Sequence, residues 1–461
     1  MMQSEFLQAL AAIVGDAHVL TAERDTSGHY IDWRKQYRGT AECVLRPANT
    51  EQVAAAVKLC AHARVAIVPQ GGNTGLSGGA VPVGRQREIV LTLGRMNRIR
   101  QVDPLDDSLV AEAGCVLAHV QRAAEEAGRY FPVSLAAEGS CQIGGILSTN
   151  AGGVNVLRYG NTRDQVLGLE VVLADGSVWN GLRSLRKDNT GYDLKHVFIG
   201  AEGTLGVITA AVLKLRAQPA ASATAWIALE TPARAVELLA QLREQLGECV
   251  SAFELVSRRC LEAVLAHAPG TQDPLRAAHP WYVLAELEDG GTFESLQGRL
   301  ETALAMCAEQ GRVRDAAIAA SHLQAAALWR IRESIPEAQF ANVKHDISVA
   351  VSRVPLLIER AEAALAAAFP GVQSYVFGHV GDGNLHYNVG NQTLATRREE
   401  VNRIVYDVVA ALGGSISAEH GLGQLKREEI KRHKQALELD LMRALKQAFD
   451  PQGLMNPGKV I

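Results

Sequence analysis

The chain has 461 residues with 46 basic and 50 acidic side chains, a formal charge of −4, and 48% hydrophobic and 21% charged residues. That balance excludes a dedicated nucleic-acid binder, which needs a basic excess to match phosphate, and a disordered chain, which lacks apolar residues to bury. The length suits two or three domains of roughly 150 residues, each with its own core. Forty-two glycines stand against 15 prolines with no G-X-Y period.

The first 20 residues hold no Lys or Arg, and Glu5 and Asp16 interrupt the apolar positions, so no secretory signal is expected. No apolar run reaches the roughly 18 residues of a membrane-spanning helix. Seven cysteines, an odd number without CxxC, indicate buried thiols in a reducing compartment, and a cytoplasmic location is expected.

In chain order, Asn49 with Gln52 three residues on is read as the cap of a helix through about Arg64. Strands follow at 65–69, 89–93 and 108–113, with an amphipathic helix at 116–127. The segment 169–179 reads as a hairpin turning at Asp175–Gly176, and 198–215 as loop and strand. A strand is expected at 281–288 and helices at 292–310, 322–334, 355–368 and 436–449, the last stopped by Pro451 and Gly453. The run KREEIKRHK (426–434) is read as a solvated helix face of opposed charges rather than a membrane or partner surface.

Glycine is bunched. PQGGNTGLSGG (69–79) follows an apolar strand, GSCQIGGILSTNAGG (139–153) comes next, then GAEGTLGVIT (200–209). Such loops bare backbone N–H groups and allow close approach to phosphate, so three of them point to one large phosphate-bearing ligand. Neither GxGxxG after the first strand nor GxxxxGK[ST] occurs, which excludes a standard dinucleotide fold and a P-loop.

These loops, with DWRKQYRG (32–39), LWRIRES (328–334), GHVGDGNLHYN (378–388), SAEHGLG (417–423) and DPQGLMNPGK (450–459), resemble the FAD-linked 2-hydroxyacid dehydrogenases of the vanillyl-alcohol oxidase superfamily. The resemblance spans nearly the whole chain. It implies an α+β fold: an FAD-binding domain over 1–218 (core 40–218), a substrate or cap domain over 219–425 carrying a metal site, and a C-terminal segment, 426–461, returning to the FAD domain. It implies FAD contacts from Pro69, Gly71, Gly72, Asn73, Thr74, Gly75, Leu76 and Ser77, from Gly139, Ser140, Ile143, Gly144, Gly145, Thr149, Asn150 and Gly153, and from Glu202, Gly203, Ile208 and Asn456. Some relatives tether flavin through a histidine in the first loop; this loop has none, so non-covalent FAD is expected.

GHVGDGNLHYN places His379 and His386 around GDGN. A two-residue turn at Asp382–Gly383 would set 379 opposite 386, with the imidazoles on one face; an open loop would leave convergence unforced. With Glu419 from SAEHG they make the three-ligand set of an open catalytic site, and His420 is the candidate base. In metal-dependent relatives the matching positions bind a divalent ion, often zinc. The resemblance further implies substrate contacts from Arg332, Lys344 and Asn388. An ion pair of Arg332 with Glu333 or Glu337 is the plain alternative. One departure is Pro336, four positions after the arginine, where D-2-hydroxyglutarate-using relatives can carry a hydroxyl residue.

The implied activity is oxidation of a D-2-hydroxyacid, D-2-hydroxyglutarate ahead of D-lactate, by hydride transfer to flavin N5. A zinc hydrolase and a flavin subunit of a glycolate oxidase type of complex are the rivals. No iron–sulfur cysteine pattern occurs, so an electron-transfer flavoprotein or a quinone is implied as external acceptor, and a homodimer is compatible with the family.

Overall fold

Short apolar strands alternating with helices give the first part of the chain two larger sheets and a two-stranded pair, Arg129–Tyr130 with Arg216–Ala217. The computed structural model describes residues 2–390 and 392–461. Its chain divides into two units: one holds the residues up to Ala151, Asn161–Ala217 and Glu419–Ile461, the other Gly152–Gly160 and Gln218–Ala418. The break at 217/218 lies where glycine content drops. Residues 152–160 group with the second unit, and the C-terminal segment of the first begins at Glu419 rather than at 426.

In the first unit, Asn49 Oδ1 accepts the Gln52 amide at 2.8 Å and starts the Thr50–Ala63 helix. Val53, Ala56, Val57 and Cys60 of that helix bury against Ile67, Ile89 and Leu91. The latter lie on Ala66–Gln70 and Glu88–Thr92, which pair in parallel in a four-stranded sheet. A second, antiparallel sheet runs in the order Ile99–Asp103, Ser108–Glu112, Val207–Lys214, Val166–Val172, Val178–Gly181. The expected hairpin at its edge turns through Leu173 and Ser177, with Gly176 left-handed (φ +84°). It is therefore a three-residue loop, one residue longer than expected. The C-terminal segment lies beside Ile67, whose amide donates to Leu454 and whose carbonyl accepts the Asn456 amide, each at 2.8 Å.

The second unit is a seven-stranded antiparallel sheet in the order Asp315–Ile318, Ala221–Leu229, Trp281–Asp289, Val250–Ser257, Gln373–Gly378, Asn384–Gly390, Asp346–Ser348. Helices Pro232–Leu246, Phe293–Glu309 and Val354–Ala368 bury Leu238, Leu300 and Leu357 on one face, with Phe253 and Leu255. The Arg258–His267 and His322–Ala338 helices bury Cys260, Leu261, Ile331 and Ile335 on the other, with Val256 and Phe377. The second of these runs past its expected end at 334. Pro336 sits in its last turn, where a missing N–H and a fixed φ interrupt little further helix.

All seven cysteines are free, and six are buried. The charged run forms the Arg427–His433 helix with Lys431–Glu428 and Arg432–Glu429 pairs along it, while Lys426, at its start, is buried. Among the described residues no helix is long and apolar enough to cross a membrane.

Candidate active site

Three loops of the first unit meet through backbone. A Cβ on Gly72 would lie 2.1 Å from the Ser140 carbonyl oxygen, so the first two loops touch there with no room for a side chain, while one on Gly71 would be in ordinary contact with the Gly145 nitrogen at 3.4 Å. Gly203, in the third loop, packs on Pro69. Asn456 ties the first loop to the third: its Nδ2 donates to Gly79 O (3.0 Å) and Glu202 O (2.7 Å), while its buried Oδ1 has no partner among the described residues. The backbone N–H groups of Gly72 through Ser77 have no intramolecular acceptor among the described residues. At Gly75, Gly139 and Gly145 a Cβ would meet nothing within 4 Å.

A row of unused donors beside open glycine surface fits the pyrophosphate of FAD. Several polar side chains of these loops are engaged with the protein itself. Asn73 Nδ2 donates to the Gly28 and Ile31 carbonyls, Thr149 Oγ1 to Gly145 O, and Asn150 Oδ1 accepts the Arg163 amide. Glu202 accepts the Leu422 (2.7 Å) and Gly423 (2.8 Å) amides. Burial raises its carboxyl pKa against those bonds. Its side chain thus braces the turn after His420, and its backbone N–H donates to Ser148 O at 2.8 Å. Ile208 lies buried on the Val207–Lys214 strand, and Gly153 falls in the second unit.

The histidines lie at the end of a hairpin in the second unit, in a different register from the expected one. Phe377, not His379, is opposite His386, and His379 sits just beyond the Gln373–Gly378 strand. The connection is a longer loop closed by the Asn384 amide on His379 O (3.2 Å), with Gly383 at φ +86° and no space for a Cβ beside Val349 O. The two rings still meet, edge to face with centroids 5.8 Å apart. Glu419 follows directly on Ala418, whose amide bonds Asp346 O at 3.4 Å. One ligand atom from each of His379, His386 and Glu419 lies within 4.8 Å of the others. Two imidazoles and a carboxylate suit zinc or a similar divalent ion, with coordination positions to spare. His420 is the next residue and partly exposed.

Arg332 is buried, and it pairs with neither Glu333 nor Glu337. Its Nε donates to Glu254 Oε2 at 2.6 Å, and its Cζ stands 4.9 Å from the Phe377 ring centroid. The other Glu254 oxygen is 2.5 Å from His379 Nδ1. Burial opposes ionisation of Glu254, but the charges of His379 and Arg332 and their hydrogen bonds outweigh it and bring the carboxyl down to about 2. Asn388, buried two residues beyond His386, donates to Gln339 Oε1 (3.1 Å), and its Oδ1 has no partner among the described residues. Lys344 donates to the Pro336 carbonyl at 2.9 Å and lies over Phe340.

Sequence reasoning missed Glu254, Phe377 and Gln339. For Glu254 a signal existed: it is the one charged residue in the strand VSAFELVS. A carboxylate in such a strand needs a buried cationic or hydrogen-bonding partner.

A model of the C-terminal domain of FAD linked oxidases matches residues 218–460, and one of an FAD binding domain matches 41–181. The chain is 39% identical over 448 residues to a D-2-hydroxyglutarate dehydrogenase of Xanthomonas citri pv. viticola, covering 95% of this chain and 93% of that one. It is 40% identical over 459 residues to the mitochondrial D-2-hydroxyglutarate dehydrogenase of Bos taurus (99% and 83%), and 35% identical over 473 residues to a D-2-hydroxyglutarate–pyruvate transhydrogenase of Saccharomyces cerevisiae (100% and 95%). The fold is that of p-cresol methylhydroxylase, with a TM-score of 0.77 at 19% identity over 99% of this chain and 96% of that one. With an FAD-binding domain matched at one end and the FAD-linked oxidase domain over more than half its length, the chain is an FAD-dependent oxidoreductase and belongs to the FAD-linked oxidase family.

Proposed function

We propose that the chain oxidises a D-2-hydroxyacid, D-2-hydroxyglutarate foremost, to the 2-oxoacid, using non-covalent FAD and a divalent ion, zinc by preference. When bound, FAD accepts hydride at N5, and the ion makes the α-hydroxyl easier to deprotonate. His379, His386 and Glu419 would hold the ion, and His420 would take the hydroxyl proton. Arg332 makes no hydrogen bond other than that to Glu254 among the described residues, so its terminal nitrogens suit a carboxylate. Asn388 Oδ1, buried and without a partner among the described residues, suits a substrate donor.

The observation that carries this reading is the meeting of the His379–His386–Glu419 group with the buried Arg332 through one shared carboxylate. Such an arrangement sets a Lewis acid and a carboxylate clamp in one site. Turnover with D-2-hydroxyglutarate and an artificial acceptor, before and after chelation, tests it. Activity that survives complete metal removal contradicts the metal's part.

D-Lactate is the second reading, and a particular contact favours it. Lys344 is turned onto the Pro336 carbonyl, which weakens the case for a second cation on a distal carboxylate. Electrons leave in this reading to an external acceptor, an electron-transfer flavoprotein or a quinone. The name of the yeast relative adds pyruvate as an acceptor to try.

A further inference from the structure

Glu254 stands where two kinds of chemistry meet. It lies in the middle of the Val250–Ser257 strand, fully buried (0% exposed), between Phe253 and Leu255 in sequence. Its two oxygens point to different partners: Oε1 to His379 Nδ1 (2.5 Å) and Oε2 to Arg332 Nε (2.6 Å). Phe377 completes the set, with the Arg332 guanidinium and the His386 ring each 4.9 Å from its ring.

An ionised carboxylate only accepts hydrogen bonds. His379 must therefore present a proton on Nδ1, which leaves the Nε2 lone pair for an ion. The same carboxylate fixes the Nε edge of Arg332, so the planar fork can turn only its terminal nitrogens toward a substrate. A neutral residue of equal size cannot do both. The amide of a glutamine has one acceptor and one donor end, so either His379 Nδ1 or Arg332 Nε faces a donor of the wrong kind.

We propose that Glu254 is a positioning residue that sets the metal-binding tautomer of His379 and the orientation of Arg332 together. The proposal rests on the metal-and-arginine reading given above. It assigns to a buried strand carboxylate the alignment of the two halves of the site. A purely structural ion pair would also destabilise the fold when broken, but it would leave the ion's affinity unchanged in molecules that stay folded.

The test uses the full-length FAD-loaded protein and its Glu254→Gln and Glu254→Asp variants. Zn2+ affinity is read by competition with a chromogenic chelator, and flavin content and Tm are read alongside. Loss of such a carboxylate partner lowers metal affinity by about 10–100-fold, and Glu254→Gln is expected in that range with its flavin spectrum retained. Its KM for D-2-hydroxyglutarate should rise as well. Glu254→Asp, too short to reach both partners, should also bind Zn2+ more weakly; it serves as the deciding variant if Glu254→Gln loses flavin or fold. Wild-type Zn2+ affinity in a folded, flavin-loaded variant overturns the proposal while leaving the metal reading intact. Failure of the wild-type protein itself to bind Zn2+ brings down both.

Discussion

Two regions of the molecule differ in what they offer a ligand: the glycine loops offer backbone, and the surroundings of His379 offer side chains. Around 69–79, 139–150 and 200–208, glycines bring loops into contact, and the amides of Gly72 through Ser77 are left without an acceptor among the described residues, while Asn73 and Thr149 bond to the protein itself. Around His379 the chemistry lies in a few side chains bonded to one another, Glu254 to Arg332 and to His379. The difference teaches what each region tolerates. A cradle of backbone is broken by adding bulk, whereas a cluster of side chains is broken by altering one functional group at constant bulk.

The largest effect is expected from His386→Ala. With two of three ligands left, turnover should fall at least about a thousandfold, given the several kcal/mol a Lewis acid contributes, while bound flavin remains. Metal content and the visible flavin spectrum of the purified variant check both halves; loss of flavin along with metal would blur the division drawn here. The converse is Gly72→Ala. A methyl group 2.1 Å from the Ser140 carbonyl forces the two loops apart, an overpacking cost of about 1–3 kcal/mol. The variant should purify with much less FAD and keep most of its Zn2+ affinity.

Arg332→Lys sharpens the comparison inside the second unit. It keeps a cation for Glu254 but loses the planar fork, so KM should rise about tenfold for D-2-hydroxyglutarate. If the arginine grips the distal carboxylate, D-lactate, which has none, should be affected far less. Equal losses with both acids would move Arg332 to the shared carboxylate or to a structural part.

The last effect is on stability rather than on the site, and it concerns the first unit's C-terminal segment. Lys459 is 2% exposed, and its Nζ has no hydrogen-bond partner among the described residues. Burial lowers its pKa to about 8, with Glu88 acting in the opposite sense. Below pH 8 the ammonium is charged in both folded and unfolded chains, and the folded state bears the full cost of burying it. Between pH 8 and the unfolded value near 10.5 the unfolded chain binds more protons, so this group's contribution becomes more favourable as pH rises, by up to about 1.4 kcal/mol per unit. Lys459→Met should therefore raise Tm at pH 7, and its advantage over wild type should shrink toward pH 10. An advantage independent of pH would place the ammonium in contact with water or an anion.

Legibility in the sequence followed the same division. The glycine loops could be read because the need for no side chain is written in the residue type, and the Asn49 cap and the 436–449 helix were read by equally local rules. His379, His386 and Glu419 were readable as a set, but not their register. The turn length depends on Gly383 fitting beneath Val349 O, a contact from the residue just past the Asp346–Ser348 strand. Glu254 lies 78 residues from Arg332 and 125 from His379. Only the pairing of Val250–Ser257 with Gln373–Gly378 and the packing of His322–Ala338 over that face bring them together. Lys344 shows the opposite case: its partner is the carbonyl of Pro336, the residue that departs from the family pattern.

Anaerobic reduction of the bound flavin by D-2-hydroxyglutarate, followed in one sample as purified, after removal of metal by chelation, and after Zn2+ is returned, tests the central claim most directly. The account predicts fast bleaching, then little or none, then recovery, with FAD bound throughout. Bleaching at an unchanged rate in protein shown to be metal-free would contradict it.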